Sequence, residues 1–170
     1  MKNKKLILKN GLTETEKRKR ILLTIMLGVL LSLLYIVIFS LSAQNAEDSG
    51  ELSMKFTEKC VENISGLSGI ADKLEKPVRK LAHFGEYALM GVLVCLLLGL
   101  WYERNRWLFL SIIGWVSVSA VFDEIHQLFV PGRYSSVLDV LLDTAGGMTG
   151  VLVLDLFLKI YRVTFCRKNL

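Results

Sequence analysis

Residues Ile21–Leu41 read ILLTIMLGVLLSLLYIVIFSL, twenty-one positions without a charge. As a helix rising about 1.5 Å per residue this stretch is about 30 Å long, the thickness of a bilayer's hydrocarbon core. Three more segments of that length follow, about Leu81 to Trp101, Trp107 to Gln127 and Leu138 to Ile160, each with its charges gathered mostly near one end. Of the 170 residues 52% are hydrophobic and only two are proline, so most of the chain is suited to lipid rather than water. The expected fold class is all-α, a polytopic membrane protein of four transmembrane helices with an amphipathic segment between the first and second. Ser40 and Ser42 are spaced as a signal-peptide cleavage site would be. The apolar run is longer than the 7–15 residues of such a peptide, which favours a retained anchor.

Orientation follows from the basic residues. Residues 1–20 carry eight lysines and arginines, the turn Tyr102–Arg106 carries two and the tail Phe165–Lys168 two more. By the positive-inside rule these sides face the cytoplasm, so both termini are cytoplasmic. The connection 42–80 has six basic and seven acidic residues, and the turn Val130–Val137 one arginine, so both lie outside. The chain divides into a basic leader (1–20), read as a solvated arm, one four-helix membrane domain (21–163) with its extracytoplasmic segment 42–80, and a cytoplasmic tail (164–170). The net charge of +5 reads as a topology signal and an attraction to anionic lipid. No interleaving of aromatic and basic residues supports nucleic-acid binding, and no glycine-rich phosphate loop supports a nucleotide.

Within 42–80, Leu52, Phe56 and Val61 recur near helical spacing among charges, then Ser65–Gly69 breaks the pattern before a second short stretch with Ile70 and Leu74. One or two amphipathic helices are expected there, with Pro77 in the first turn of the second transmembrane helix. Cys60 falls outside the cell, Cys95 within the second span and Cys166 in the cytoplasmic tail, which leaves no pair for a disulfide. Trp101, Trp107 and Trp115 suit interfacial anchoring and packing, and Asp155 and Lys159 a local ion pair.

The topology brings the remaining polar groups to one membrane face. The second helix starts with Lys80, His83, Glu86 and Tyr87, the third ends with Asp123, Glu124, His126 and Gln127, and the fourth starts with Asp139 and Asp143, with Arg133 in the turn between. Ionisable side chains are rare inside a membrane, at about 2.5–3.5 kcal/mol each on insertion scales, so such a gathering implies partners, a water-filled cavity or a function. His83 shares a helix face with Glu86 and Tyr87, and Asp123 with His126 and Gln127, while Glu124 points about 100° away. Asp139, Asp143, Gly146 and Gly150 form one stripe whose glycines allow close backbone approach.

The blocks Lys80-x-x-His83-Phe84-x-Glu86-Tyr87-x-x-x-Gly91, Asp123-Glu124-x-His126-Gln127-x-Phe129-x-Pro131-x-Arg133 and Asp139-x-x-x-Asp143-x-x-Gly146-x-x-x-Gly150 resemble the VanZ-like family of bacterial membrane proteins. The run Phe39–Gln44 resembles that family's first block, and together the blocks cover most of residues 35–150. The chain departs from the pattern at Asp143, where asparagine is common. The resemblance implies a four-helix protein of the bacterial cell membrane, related to founding members linked to low-level resistance to teicoplanin-type glycopeptides. It implies no reaction.

The residues leave the chemistry open among three readings. As an enzyme on a lipid-linked or surface cell-wall component, the protein would draw its catalytic groups from His83, Glu86, Asp123 and His126. Lys80, Tyr87, Glu124, Gln127, Arg133, Asp139 and Asp143 would then contact the substrate. His83, Glu86, Asp123 and His126 are also Zn or Mn donors in type, but their spacing matches no single-helix signature such as HExxH, and neither metal nor cofactor is assigned. As an accessory protein, the same groups would bind a lipid-linked intermediate or the glycopeptide, with Arg133 holding an anion through its fork. For single residues structural roles compete: Asp139 capping the fourth helix and pairing with Arg133, Asp123 locking His126, and Tyr87 and Gln127 lying at the interface or behind the contact residues.

Overall fold

The computed structural model describes residue 11 and residues 13–61 and 71–166. Five α-helices follow one another: α1 (Glu14–Ser42), α2 (Ala46–Val61), α3 (Ala71–Trp101), α4 (Arg106–Gln127) and α5 (Val137–Tyr161), the last running into a π turn over Arg162–Cys166. No strand occurs among the described residues. α1, α3, α4 and α5 are each long and apolar enough to cross a membrane. They contain the four expected spans and extend beyond them, because polar turns continue the helices past the apolar stretch.

The last seven residues of the leader, 14–20, are therefore helix and not an arm. Thr13 caps α1 and exchanges hydrogen bonds with Glu16 in a capping box, so the helix starts before its first apolar residue. Arg20 donates to the Leu100 carbonyl at 2.7 Å, which ties that basic turn to the end of α3. In the connecting segment α2 is the expected amphipathic helix. The second stretch is no separate element from Ala71 onward but the first turns of α3, and Pro77 lies inside α3 rather than in its first turn. Its ring nitrogen has no hydrogen for the carbonyl four residues back. The break Ser65–Gly69 with Ile70, residues 1–10 and the end of the tail lie outside the described residues, as do the side chains of Phe56, Val61, Cys60 and Cys166.

One face of each long helix is buried, and the pattern follows the helical repeat. α1 buries Leu27, Leu31, Ile38 and Ser42, and α4 buries Leu108, Ile112, Val116, Ser119, Asp123 and Gln127. The opposite faces expose large apolar side chains such as Leu22, Ile36, Phe122, Leu141 and Phe157, as lipid-facing surfaces do. Among the described residues, α3 and α5 approach each other most closely. A Cβ at Gly91 would sit 2.3 Å from the Gly147 carbonyl oxygen, one at Gly146 2.4 Å from that of Phe84, and one at Gly150 2.0 Å from that of Ala88. Backbone meets backbone along this seam because three glycines remove the side chains that would separate the helices.

Polar side chains tie α1 to the rest. The Trp101 indole donates to Thr24 Oγ1 at 2.8 Å, and Tyr35 joins its hydroxyl to Ser119 Oγ while accepting from the Trp115 indole at 2.9 Å. Trp101 and Trp115 thus anchor by specific bonds, and the Arg106 guanidinium lies 5.4 Å from the Trp107 ring. Interhelical hydrogen bonds in membranes average about 0.6 kcal/mol. Tyr35→Phe, which removes two, should lower unfolding stability in detergent by about 1 kcal/mol without dissociating α1. An unchanged transition would show that these bonds do not hold the helix. At the same end Asp155 pairs with Arg104 at 2.6 Å, not with Lys159. Arg104 also reaches the buried Cys95 thiol at 3.5 Å, and Cys95 is a free cysteine.

Candidate functional site

The polar groups collect at the opposite end, where α1 and α4 finish and α5 begins, beside α2 and the early turns of α3. Asp123 is the most deeply placed, with no exposed surface. Its Oδ2 accepts from Ser42 Oγ at 2.9 Å and from Gln127 Nε2 at 3.2 Å, so α1 and α4 meet on one carboxylate oxygen. Asp123 does not lock His126. That imidazole turns to α1, where its ring packs edge-on against Phe39 at 5.7 Å, and Nε2 is buried without a hydrogen-bond partner.

The turn between α4 and α5 is built from local chemistry. Gly132 takes φ 75°, a left-handed conformation that suits a residue lacking Cβ, and the Arg133 amide closes the turn on the Val130 carbonyl at 3.2 Å. Arg133 then reaches back to α1: Nε donates to the Gln44 carbonyl at 3.2 Å and Nη2 to that of Leu41 at 3.3 Å, satisfying oxygens at the helix end. Partial burial and the nearby Arg79 draw its pKa down, while Asp123 and Glu124 oppose them. A guanidinium stays protonated throughout the physiological range. Arg133 therefore does not pair with Asp139. The partner of Asp139 is Lys80, across from α5 to α3. Glu124 accepts from the Ser136 amide at 2.7 Å, supplying the cap that the Ser136 side chain does not make for α5.

Two cavities open on this framework. A polar one of about 200 Å³ is lined by Lys80, His83, Glu124, Gln127, Asp139 and Asp143, together with Arg79 and Arg133. A larger, mainly apolar groove of about 750 Å³ runs between α2 and α3, past Leu52, Val78, Leu81 and Ala82 to Glu86. Arg79, His83 and Arg133 line both, so the groove and the polar cavity adjoin. His83 Nδ1 stands 3.6 Å from Glu86 Oε2. Of the sequence candidates, Lys80, His83, Glu86, Glu124, Gln127, Arg133, Asp139 and Asp143 face one or both cavities. Asp123 lies behind, bonded to Gln127. Tyr87 is 1% exposed within the apolar core and, like His126, lines neither cavity.

Two contributors were not singled out from the sequence as site residues. Arg79 lines both cavities, and its signal was its place beside Lys80 at the helix start. Ser42 donates to Asp123 from 81 positions away, and no local pattern announces that pairing.

A model of the VanZ/LLP1 family matches residues 19–158. The chain belongs to the VanZ/LLP1 family. With four helices suited to crossing a bilayer, this VanZ-family member is a multi-pass membrane protein. The match covers α3 and α4 whole, all but the outer ends of α1 and α5, and every residue of the polar cluster. No curated protein and no solved structure matches the chain.

Proposed function

We propose that this VanZ-family protein acts at the outer surface of the bacterial cell membrane and lowers susceptibility to teicoplanin-type glycopeptides. It does so by acting on, or binding, a lipid-linked or surface cell-wall component with an anionic group. Both termini are cytoplasmic in this reading, which follows from the basic leader and inner turn, so the polar cavity faces outward.

The observation that carries the proposal is the adjoining pair of cavities. The apolar groove suits a hydrocarbon chain, and the polar cavity beside it presents Arg79, Lys80 and Arg133 to an anionic head. The shared wall of Arg79, His83 and Arg133 sits where chain and head of such an amphiphile would join. His83 beside Glu86 is the pair suited to accept or pass a proton there. Without a proton transfer the same cations serve recognition alone.

The test is the susceptibility of a sensitive Gram-positive host to teicoplanin and vancomycin, with wild type, His83→Ala or Arg133→Gln expressed at membrane levels matched by immunoblot. Wild type should protect mainly against teicoplanin, and both variants should fall to the level of the empty vector. Equal protection by the variants would remove the cavities from the function. Conversion of a cell-wall lipid phosphate by purified protein, lost in His83→Ala, would separate catalysis from recognition.

A further inference from the structure

Two buried carboxylates and a half-buried imidazole converge where α3, α4 and α5 meet. His83, Asp123 and Asp143 each bring one donor atom within 4.8 Å of the other two. Asp123 has no exposed surface and Asp143 is 2% exposed, yet one oxygen of each, Oδ1, has no hydrogen-bond partner, and neither has His83 Nδ1. Buried polar atoms are nearly always satisfied, so three orphans in one place need an explanation. Two carboxylates held together out of water repel, and a nearby cation is what offsets that.

Two of the cations that line the polar cavity already have partners within the protein. Lys80 pairs with Asp139, and Arg133 donates to the carbonyls of Leu41 and Gln44. Meanwhile the far side of Asp123 is held. Asp123 Oδ2 is bonded by Ser42 and Gln127, which leaves Oδ1 as the outstanding oxygen. His83 Nδ1 stands 3.6 Å from Glu86 Oε2, beyond hydrogen-bond distance, and is left as the outstanding nitrogen.

We infer that His83, Asp123 and Asp143 form a three-helix site for one divalent transition-metal ion. One imidazole and two carboxylates suit Zn²⁺ or Mn²⁺ better than Ca²⁺, which takes six to eight oxygens. Donors bonded at about 2.0–2.2 Å to one ion at tetrahedral angles lie about 3.3–3.6 Å apart, so closing the site draws these side chains together by about an ångström. His83 and Asp143 also line the polar cavity, so the ion's remaining position opens toward it, as in sites that keep a place for water or substrate. The set differs from the donor types weighed from the sequence: Asp143 takes part, Glu86 lies outside the group, and His126 faces α1 instead.

The experiment uses the full chain in mild detergent, stripped with EDTA, then given Zn²⁺ or Mn²⁺ alone. Bound metal is counted by mass spectrometry and affinity is read by calorimetry, with Co²⁺ absorption as a signature of the coordination. Wild type should bind about one ion per chain. His83→Gln and Asp143→Ala should each weaken binding by at least tenfold, and His126→Ala should leave it unchanged. The chain has only two histidines, so this comparison identifies the imidazole. Absence of stoichiometric binding to wild type overturns the inference, as does full binding by His83→Gln and Asp143→Ala. If those variants fail to accumulate, the wild-type count and its Co²⁺ spectrum still decide. The readout involves no antibiotic, so its failure is distinct from failure of the proposed cell-envelope role.

Discussion

Gly150→Ala should destabilise the protein by about 3 kcal/mol, enough to halve or abolish its accumulation in membranes, although it adds one methyl group. The added Cβ would lie 2.0 Å from the Ala88 carbonyl oxygen and 2.8 Å from its carbon. Those atoms belong to the backbone of α3 and cannot rotate aside, so the helices must separate along the seam and lose contacts on either side. Gly91→Ala and Gly146→Ala meet carbonyl oxygens at 2.3 and 2.4 Å and should behave alike. At Gly147 the added methyl meets the Val116 side chain at 2.5 Å, and a rotamer change there should make the cost smaller. Gly28, Gly99 and Gly114 have open space around the same position, so alanine there should be neutral or stabilise by up to about 1 kcal/mol through helix propensity. Thermal unfolding in detergent across the seven variants checks this. Equal effects in the two groups would refute the seam.

Asp143→Ala should do the reverse, abolishing protection against teicoplanin while changing unfolding stability in metal-free buffer by no more than about 1 kcal/mol. The carboxylate lies buried at the acidic end of the bundle with Oδ1 unsatisfied, so its desolvation is poorly compensated. Removing it forfeits some packing but relieves that cost, and the two offset. It also lines the polar cavity with Glu124 and Asp139, so its loss alters the chemistry offered there. Added Zn²⁺ should raise the wild-type midpoint and leave that of the variant unmoved, because ligands stabilise only the state that binds them. Full protection by a normally accumulating variant would exclude Asp143 from function. A collapse in stability would mark it as structural.

The spans were legible because apolar length is a strong signal: Ile21–Leu41 lies whole inside α1, and the other three segments inside α3, α4 and α5. The gathering of polar groups at one end followed from the helix order, and the glycine stripe of α5 from its spacing. The pairings were not legible. Spacing along a helix says which neighbours can meet, and on that basis Asp155 faced Lys159. Arg104, arriving from the adjoining turn, brings a guanidinium to 2.6 Å and wins. Arg133 and Asp139 stand close in sequence, yet the turn at Gly132 sends the guanidinium back to α1 and leaves Asp139 to Lys80. His126 shares a helix face with Asp123, but the two rings of Phe39 and His126 meet instead and hold it toward α1. Nothing local distinguishes these outcomes, since each depends on how distant helices are placed. The helix starts at Glu14 and Ala71 were missed for a simpler reason, that hydropathy measures where the membrane ends and not where the helix does.

The seam between α3 and α5 also decides where this protein can change. With three glycines at backbone contact, the wall that carries His83 and Asp143 behaves as one fixed jaw, and a side chain added at any of those glycines pushes it apart. The facing jaw of the groove comes from α2, through Leu52, Ser53 and Lys55, none of which rests on the seam. Variation in what the groove accepts therefore belongs in α2, where side chains can be exchanged while the acidic cluster keeps its position.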